Sequence, residues 1–225
     1  EEGQGVVKVS ADNFESRIKT LPRQDFPTLP KADNKEISKL PGQTFRDLIT
    51  RTQFAITGED TRYFLNGALF YFTADALTLV ATDGHRLALI TGKQKSGEKT
   101  KKGKSEAPRV ILPRKTLTEL AKLLTEDVKE IGYQQSENHL FFEVGDRVLI
   151  SRMIDGQFPA YERVIPKGND KAVEFDNDRL TAAIKRVAVL SNERSKAVKM
   201  QISKNKVEIT SNSPDVGEAS EELDV

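Results

Sequence analysis

Three stretches of the chain repeat one another at fixed offsets, and any fold proposed for it has to honour that repeat. Moving 72 positions takes Leu40-Pro41 to Leu112-Pro113, Thr44 to Thr116, Phe45 to Leu117 and Leu48 to Leu120. Moving 135 positions takes Phe45 to Leu180, Ile49 to Ile184 and Thr52 to Val187. Each stretch has helical spacing: Phe45, Leu48 and Ile49 with Thr52, then Leu117, Leu120, Ala121 and Leu124, then Leu180, Ala183, Ile184 and Val187. Proline is acceptable in a first helical turn, and Asp176, Asn177 or Asp178 can cap the third helix. Beyond the helices, an offset of 130 pairs Phe70 with Met200, Phe72 with Ile202, Leu77 with Val207 and Leu79 with Ile209. The unit is therefore a helix followed by antiparallel strands, and two units make a domain. The expected domains are residues 1–34, the end of one domain; 35–166, a complete second; and 167–225, the first half of a third. Strand edges in such an array must find partners, by stacking or by ring assembly.

Residues 61–90 carry the densest strand signal: Tyr63–Thr73, Leu77–Thr82 and Arg86–Ile90. Leu77, Leu79 and Ala81 alternate with Thr78, Val80 and Thr82, as in a strand with one face on a core. Asp83-Gly84 is a tight-turn pair, because glycine tolerates positive φ, and it leaves His85 and Arg86 at a sheet rim. Further strands are expected at 6–9, 14–18, 128–133, 139–144, 147–154, 198–203 and 206–211, with an acidic segment, EASEELDV, at the end. Lys31–Lys35 reads as a linker, and the six lysines between Lys93 and Lys104 read as a surface loop.

Composition narrows the chemistry. The net charge is +1, so no whole-molecule field draws the chain onto nucleic acid, and DNA binding must come from local placement of charge. There is no cysteine, hence no disulfide or thiolate metal site, which suits a reducing cytoplasm. No run approaches the roughly 18 apolar residues of a membrane helix, and EEGQGVVKVS does not read as a signal peptide. His85 with Asp83 and Arg86 is the one cluster that could pass for a catalytic site, yet no second histidine lies nearby in sequence. No Gly-rich phosphate loop or metal-ligand spacing is present. The expectation is a non-enzymatic cytoplasmic protein with no cofactor, no metal and no membrane attachment.

The run LNG…L…VATDGHRLA, together with LPRQDFPTLP, RMIDGQFPAYERVIP and AVLSNER, resembles the bacterial DNA polymerase III β-subunit (sliding clamp) family over essentially the whole chain. The resemblance implies an α+β DNA-clamp fold of repeated helix-plus-antiparallel-strand units, helices on the inner face and sheets outside. It implies a homodimeric ring that encircles double-stranded DNA without sequence specificity. It also implies that the replicative polymerase and the clamp loader dock through short linear peptides. Carried over by position, the peptide pocket is Leu65, Thr82, Gly84, His85, Arg86, Leu87, Pro159, Arg163 and Val164. Ser195 stands where the family often has a larger wall residue. DNA contact is expected from the polar sides of the helices: Arg46 and Arg51, Lys122 and Lys185 (both matching Thr50), and Arg186 (matching Arg51). Arg62, Tyr63 and Phe64 form a second DNA-facing patch by family position. Against the family pattern the chain lacks most of a first domain and stops inside the third, so a mainly monomeric fragment is expected. The rival reading is a DNA- or peptide-binding scaffold that never closes a ring.

Overall fold

A computed structural model of the chain describes residues 2–3, 5–32, 37–58, 60–94 and 109–224. Most of the lysine-rich stretch, the core of the Lys31–Lys35 linker and Glu59 of the turn before Arg62 lie outside the described residues. The chain divides into two units, residues 1–159 and 160–225.

The first unit opens with an antiparallel sheet of β1 (Glu2–Gly3), β2 (Val6–Ala11) and β3 (Phe14–Lys19), in which Val9, Phe14 and Ile18 remain exposed. Two copies of one motif follow. The first copy is β4 (Ser38–Pro41), α1 (Gly42–Thr52), β5 (Gly67–Phe72), β6 (Ala76–Thr82) and β7 (Leu87–Lys93). The second is β8 (Val110–Pro113), α2 (Arg114–Leu123), β9 (Glu130–Ser136), β10 (His139–Val144) and β11 (Arg147–Arg152). Each copy's leading strand completes the other copy's sheet. The sheets run β7-β6-β5-β8 and β11-β10-β9-β4, with Phe70 opposite Val110 and Leu40 opposite Ile131.

The exchange joins both copies around one core. Phe45 of α1 sits 5.1 Å from Phe70 and 6.2 Å from Phe142, ring centre to ring centre. Tyr133 closes the group at 5.7 Å from Phe70 and 5.4 Å from Phe142. Leu48, Ile49, Leu117 and Leu120, the apolar helix positions expected from spacing, are buried with them. Pro41 and Pro113 occupy the N-caps, where a residue without an N–H loses nothing. The Gly42 amide instead donates to the Lys129 carbonyl at 2.8 Å, which ties α1 to the second copy.

The second unit holds one copy: α3 (Asn177–Ala188) against β12 (Lys199–Ser203), β13 (Lys206–Ser213) and β14 (Gly217–Asp224). Among the three candidate caps it is Asp176 that accepts the Arg179 amide, at 2.8 Å. Ala183, Val187, Val207, Ile209 and Leu223 form its core.

Three expectations are corrected. Tyr63–Leu65 is a 3-10 turn, not the start of a strand, because Asn66 and Leu65 donate their amides back to Tyr63 and Arg62. Leu112-Pro113, expected from the repeat to open the second helix, instead ends the strand Val110–Pro113, and α2 begins at Arg114. The acidic ending is also a strand: Ala219 and Leu223 turn toward the core while Glu218, Ser220 and Glu222 stay in water.

Candidate functional site

The segment Thr82–Leu87 links β6 to β7 at the rim of the first sheet. Its shape is fixed locally. The Thr82 hydroxyl donates to the Arg86 carbonyl at 2.8 Å and accepts the Gly84 amide at 3.1 Å. Asp83 Oδ1 accepts the His85 and Arg86 amides at 3.0 and 2.9 Å, and Oδ2 accepts Arg86 Nε at 3.0 Å. These bonds, the Arg86 amide foremost, lower the pKa of Asp83 and keep it charged. Gly84 sits at φ +87°, a left-handed conformation that glycine alone adopts without strain. Gly84, His85 and Arg86 are exposed, and the Arg86 guanidinium lies over the exposed Phe54 ring at 5.8 Å.

Beside this turn runs the 60s segment. Arg62 grips Asp60 with its amide (2.7 Å) and Nε (3.0 Å) on Oδ1 and with Nη2 (2.7 Å) on Oδ2. The same Nη2 reaches the Asp83 carbonyl at 3.3 Å. The fork holds the Asp60 carboxyl down at about 2. Tyr63 is exposed and stands edge-on to Phe64 at 5.8 Å.

The carried-over peptide residues therefore divide. Thr82, Gly84, His85, Arg86 and half-buried Leu87 belong to one continuous rim. Leu65, only 2% exposed, is buried and offers no surface to a peptide. Pro159 is exposed near the end of the first unit. Arg163 and Val164 belong to the second unit, where Arg163 ends a 3-10 turn and Val164 is exposed. Ser195, also there, gives its amide to Asn192 Oδ1 at 3.2 Å.

The basic helix positions divide as well. Arg51, Lys122 and Lys185 are exposed opposite their helices' buried faces, and Arg46 is half-buried. Lys122 reaches Glu119 one turn back at 2.8 Å, an exposed pair of the weak kind. Arg186 is committed to Glu221 on β14, Nε to Oε2 at 2.9 Å with Nη2 on Oε1. Arg114 and Lys115, exposed in the first turn of α2, carry no signal in the repeat, because the 72-residue offset matches them to Gly42 and Gln43. Asp60 likewise stands out by no motif. Among the described residues no group of three His, Asp or Glu side chains is placed to hold a metal, and no helix is long and apolar enough to cross a membrane.

Two family models match the chain: DNA polymerase III beta subunit, central domain, at residues 39–160, and the same subunit's C-terminal domain at 162–225. The beta sliding clamp of Pseudomonas aeruginosa is 38% identical over 225 residues, all of this chain and 59% of the relative. A crystal structure of the DNA polymerase III subunit beta from Pseudomonas aeruginosa superposes with a TM-score of 0.88 at 36% identity, covering 100% of this chain and 60% of that one. A second structure, of a sliding clamp from that organism bound to griselimycin, gives 0.86 at 36% identity over 99% of this chain and 59% of that one. The chain thus spans about three fifths of the length of these relatives.

Proposed function

The chain belongs to the DNA polymerase III beta-subunit family, the sliding clamps, and on that footing we propose that it serves as part of a DNA processivity clamp. It acts by tethering rather than by catalysis: it tracks duplex DNA without reading sequence and gives short linear peptides of the replicative polymerase and the clamp loader a place to dock. Tethering converts repeated bimolecular capture into an intramolecular encounter, so a weak peptide contact suffices. Residues 35–166 make the complete middle clamp domain of this proposal, 1–34 the end of a first and 167–225 the start of a third.

The observation that carries the reading is the Thr82–Leu87 rim. Its Gly84–Arg86 crest is exposed yet held by its own hydrogen bonds, with a half-buried apolar side chain, Leu87, beside two cationic or polar ones, His85 and Arg86. That combination suits a peptide carrying an apolar anchor next to a carboxylate. The proposed docking surface is confined here to the first unit. For DNA, the exposed Arg51 of that unit and Lys185 of the other present the cationic ends that phosphates need, as does Arg46 in part, and Lys122 adds its own by leaving its weak exposed pair with Glu119. Arg186 contributes only where a phosphate displaces Glu221.

Peptide titration beside thermal melting tests the proposal. Leu87→Ala lowers affinity for a labelled polymerase-derived peptide about tenfold, as expected for one lost anchor contact, and leaves melting nearly unchanged. The complementary arm, Lys122→Glu with Lys185→Glu, flattens the salt dependence of DNA association and spares peptide affinity. A large fall in melting temperature with peptide affinity intact would place Leu87 in the core and remove the site.

A further inference from the structure

Arg62 was expected to face DNA, but its surroundings assign it other work. We propose that Arg62, gripped by Asp60, is a positioning residue that sets the conformation of the Asp83–Arg86 turn and thereby its affinity for peptides. The inference rests on the reading of that turn as the docking surface.

Four observations carry it. First, one edge of the Arg62 guanidinium is engaged: Nε and Nη2 make the two-pronged contact with the Asp60 carboxylate that only a guanidinium supplies, and the Arg62 backbone amide adds a third bond. Second, Asp60 is itself rooted. Its amide donates to Asn66 Oδ1 at 3.0 Å, its carbonyl accepts Asn66 Nδ2 at 3.2 Å, and the same Asn66 Oδ1 takes the Thr57 hydroxyl at 2.6 Å. Asn66 adjoins β5, and its carbonyl accepts the Arg114 amide at 3.0 Å, so the anchor reaches into the sheet. Third, the same Nη2 that holds Asp60 Oδ2 also donates to the docking turn, 3.3 Å from the Asp83 carbonyl oxygen. Fourth, Gly84 accommodates it: a Cβ on that residue would stand 3.0 Å from Arg62 Nη1, so the guanidinium fills the space that a side chain would take. The chain of contacts runs from Asn66 through Asp60 and Arg62 to Asp83 and Gly84. A phosphate would meet an Arg62 charge already offset by Asp60, a carboxylate that stays ionised down to about pH 2.

The two roles of Arg62 part company under substitution. As a phosphate contact, Arg62 would keep most of its function as lysine, and removing the Asp60 charge would free it and strengthen DNA association. As a positioning residue it fails as lysine, and Asp60→Asn harms peptide binding. The experiment titrates a fluorescein-labelled short polymerase-derived peptide with the whole chain carrying Arg62→Ala, Arg62→Lys, Asp60→Asn, or Asp60→Asn with Arg62→Lys. It also follows hydrogen exchange at the His85 and Arg86 amides and the salt dependence of DNA association.

The expected result is a roughly tenfold loss of peptide affinity in each single variant. The double variant should be no worse than the weaker single one, because both remove one interaction. Exchange at His85 and Arg86 should quicken while the DNA salt slope stays put. Full peptide affinity in Arg62→Lys with a flatter salt slope in Arg62→Ala would overturn the proposal in favour of a phosphate contact. Lost affinity with unchanged amide exchange would overturn it in favour of direct peptide contact. Should the wild-type chain fail to bind the peptide, the docking reading falls, and the amide exchange alone decides the positioning role: quickened in Arg62→Ala supports it, unchanged refutes it. If Arg62→Ala unfolds, Arg62→Lys and Asp60→Asn decide the matter in the same way.

Discussion

The hairpins β5–β6 and β12–β13 are the same structure built twice, with different fates. At an offset of 130 residues their registers coincide: Phe70 faces Leu79 as Met200 faces Ile209, and Phe72 faces Leu77 as Ile202 faces Val207. The second strand of each hairpin is buried alike, with Leu77, Leu79, Val207 and Ile209 all at 0% exposure. The first strand is not. Phe70 is wholly buried, whereas Met200 and Ile202 are 41% and 52% exposed. The difference is what lies alongside: β8 pairs with β5, and Tyr133 of the second copy covers Phe70, while β12 is the edge of its sheet. One copy of the motif buries its central strand with its own helix. Burying the first strand takes a second copy.

The largest effect expected from this contrast is at its centre. Phe70→Ala should destabilise the first unit by about 3–5 kcal/mol, and Met200→Ala should change the second by less than about 1 kcal/mol, both read by urea unfolding. Equal effects would break the comparison. Next comes the position just before each first strand's aligned residues, Gly67 and its counterpart Ala197. A methyl group on Gly67 would run into the Leu112 carbonyl oxygen of β8 and press on Ile111 and Ile154, whereas Ala197 is exposed. Gly67→Ala should therefore cost about 1–3 kcal/mol and Ala197→Gly about 0.5 kcal/mol or less.

The smallest effect is in acid. Asp60 in the first unit and Glu221 in the second are both held below their ordinary values, 3.8 and 4.5, chiefly by hydrogen bonds from Arg62 and Arg186. A depressed folded-state pKa means that the unfolded chain takes up protons more readily, so each contribution is present above the ordinary value and fades as pH falls through the shifted one. Carboxyl chemical shifts should show Asp60 ionised down to about pH 2 and Glu221 protonating below its ordinary value. Asp60 titrating at its ordinary value would deny the Asp60–Arg62 grip.

The helices were legible because their signals are local: apolar residues three and four apart, proline or aspartate at the start. The hairpin registers followed from the repeat. What escaped was whatever depended on a distant partner. Val110–Pro113 is a strand only because β5 lies beside it, 40 positions back at Phe70. Tyr63–Leu65 has strand-like side chains, yet its amides turn back on the preceding residues. In the acidic ending, two inward residues, Ala219 and Leu223, were outvoted by the glutamates around them. At the site, the Asp-Gly turn announced itself. The Asp60–Arg62 grip on it did not, because it joins two segments 21 residues apart through a side chain that also reads as a phosphate ligand.

The exchange of leading strands bears on how the first unit comes into being. Ser38 pairs with Tyr133, so β4 waits 95 positions for its partner. Neither copy can complete a sheet while the other is unmade, which raises contact order and slows the search. Until residues 130–133 have been synthesised, β4 has no strand partner on either side, and the nascent chain carries both edges unpaired through the interval. The same geometry makes the two copies a single cooperative folding unit despite their internal repetition, with amides of β4 and β8 expected to open together instead of copy by copy.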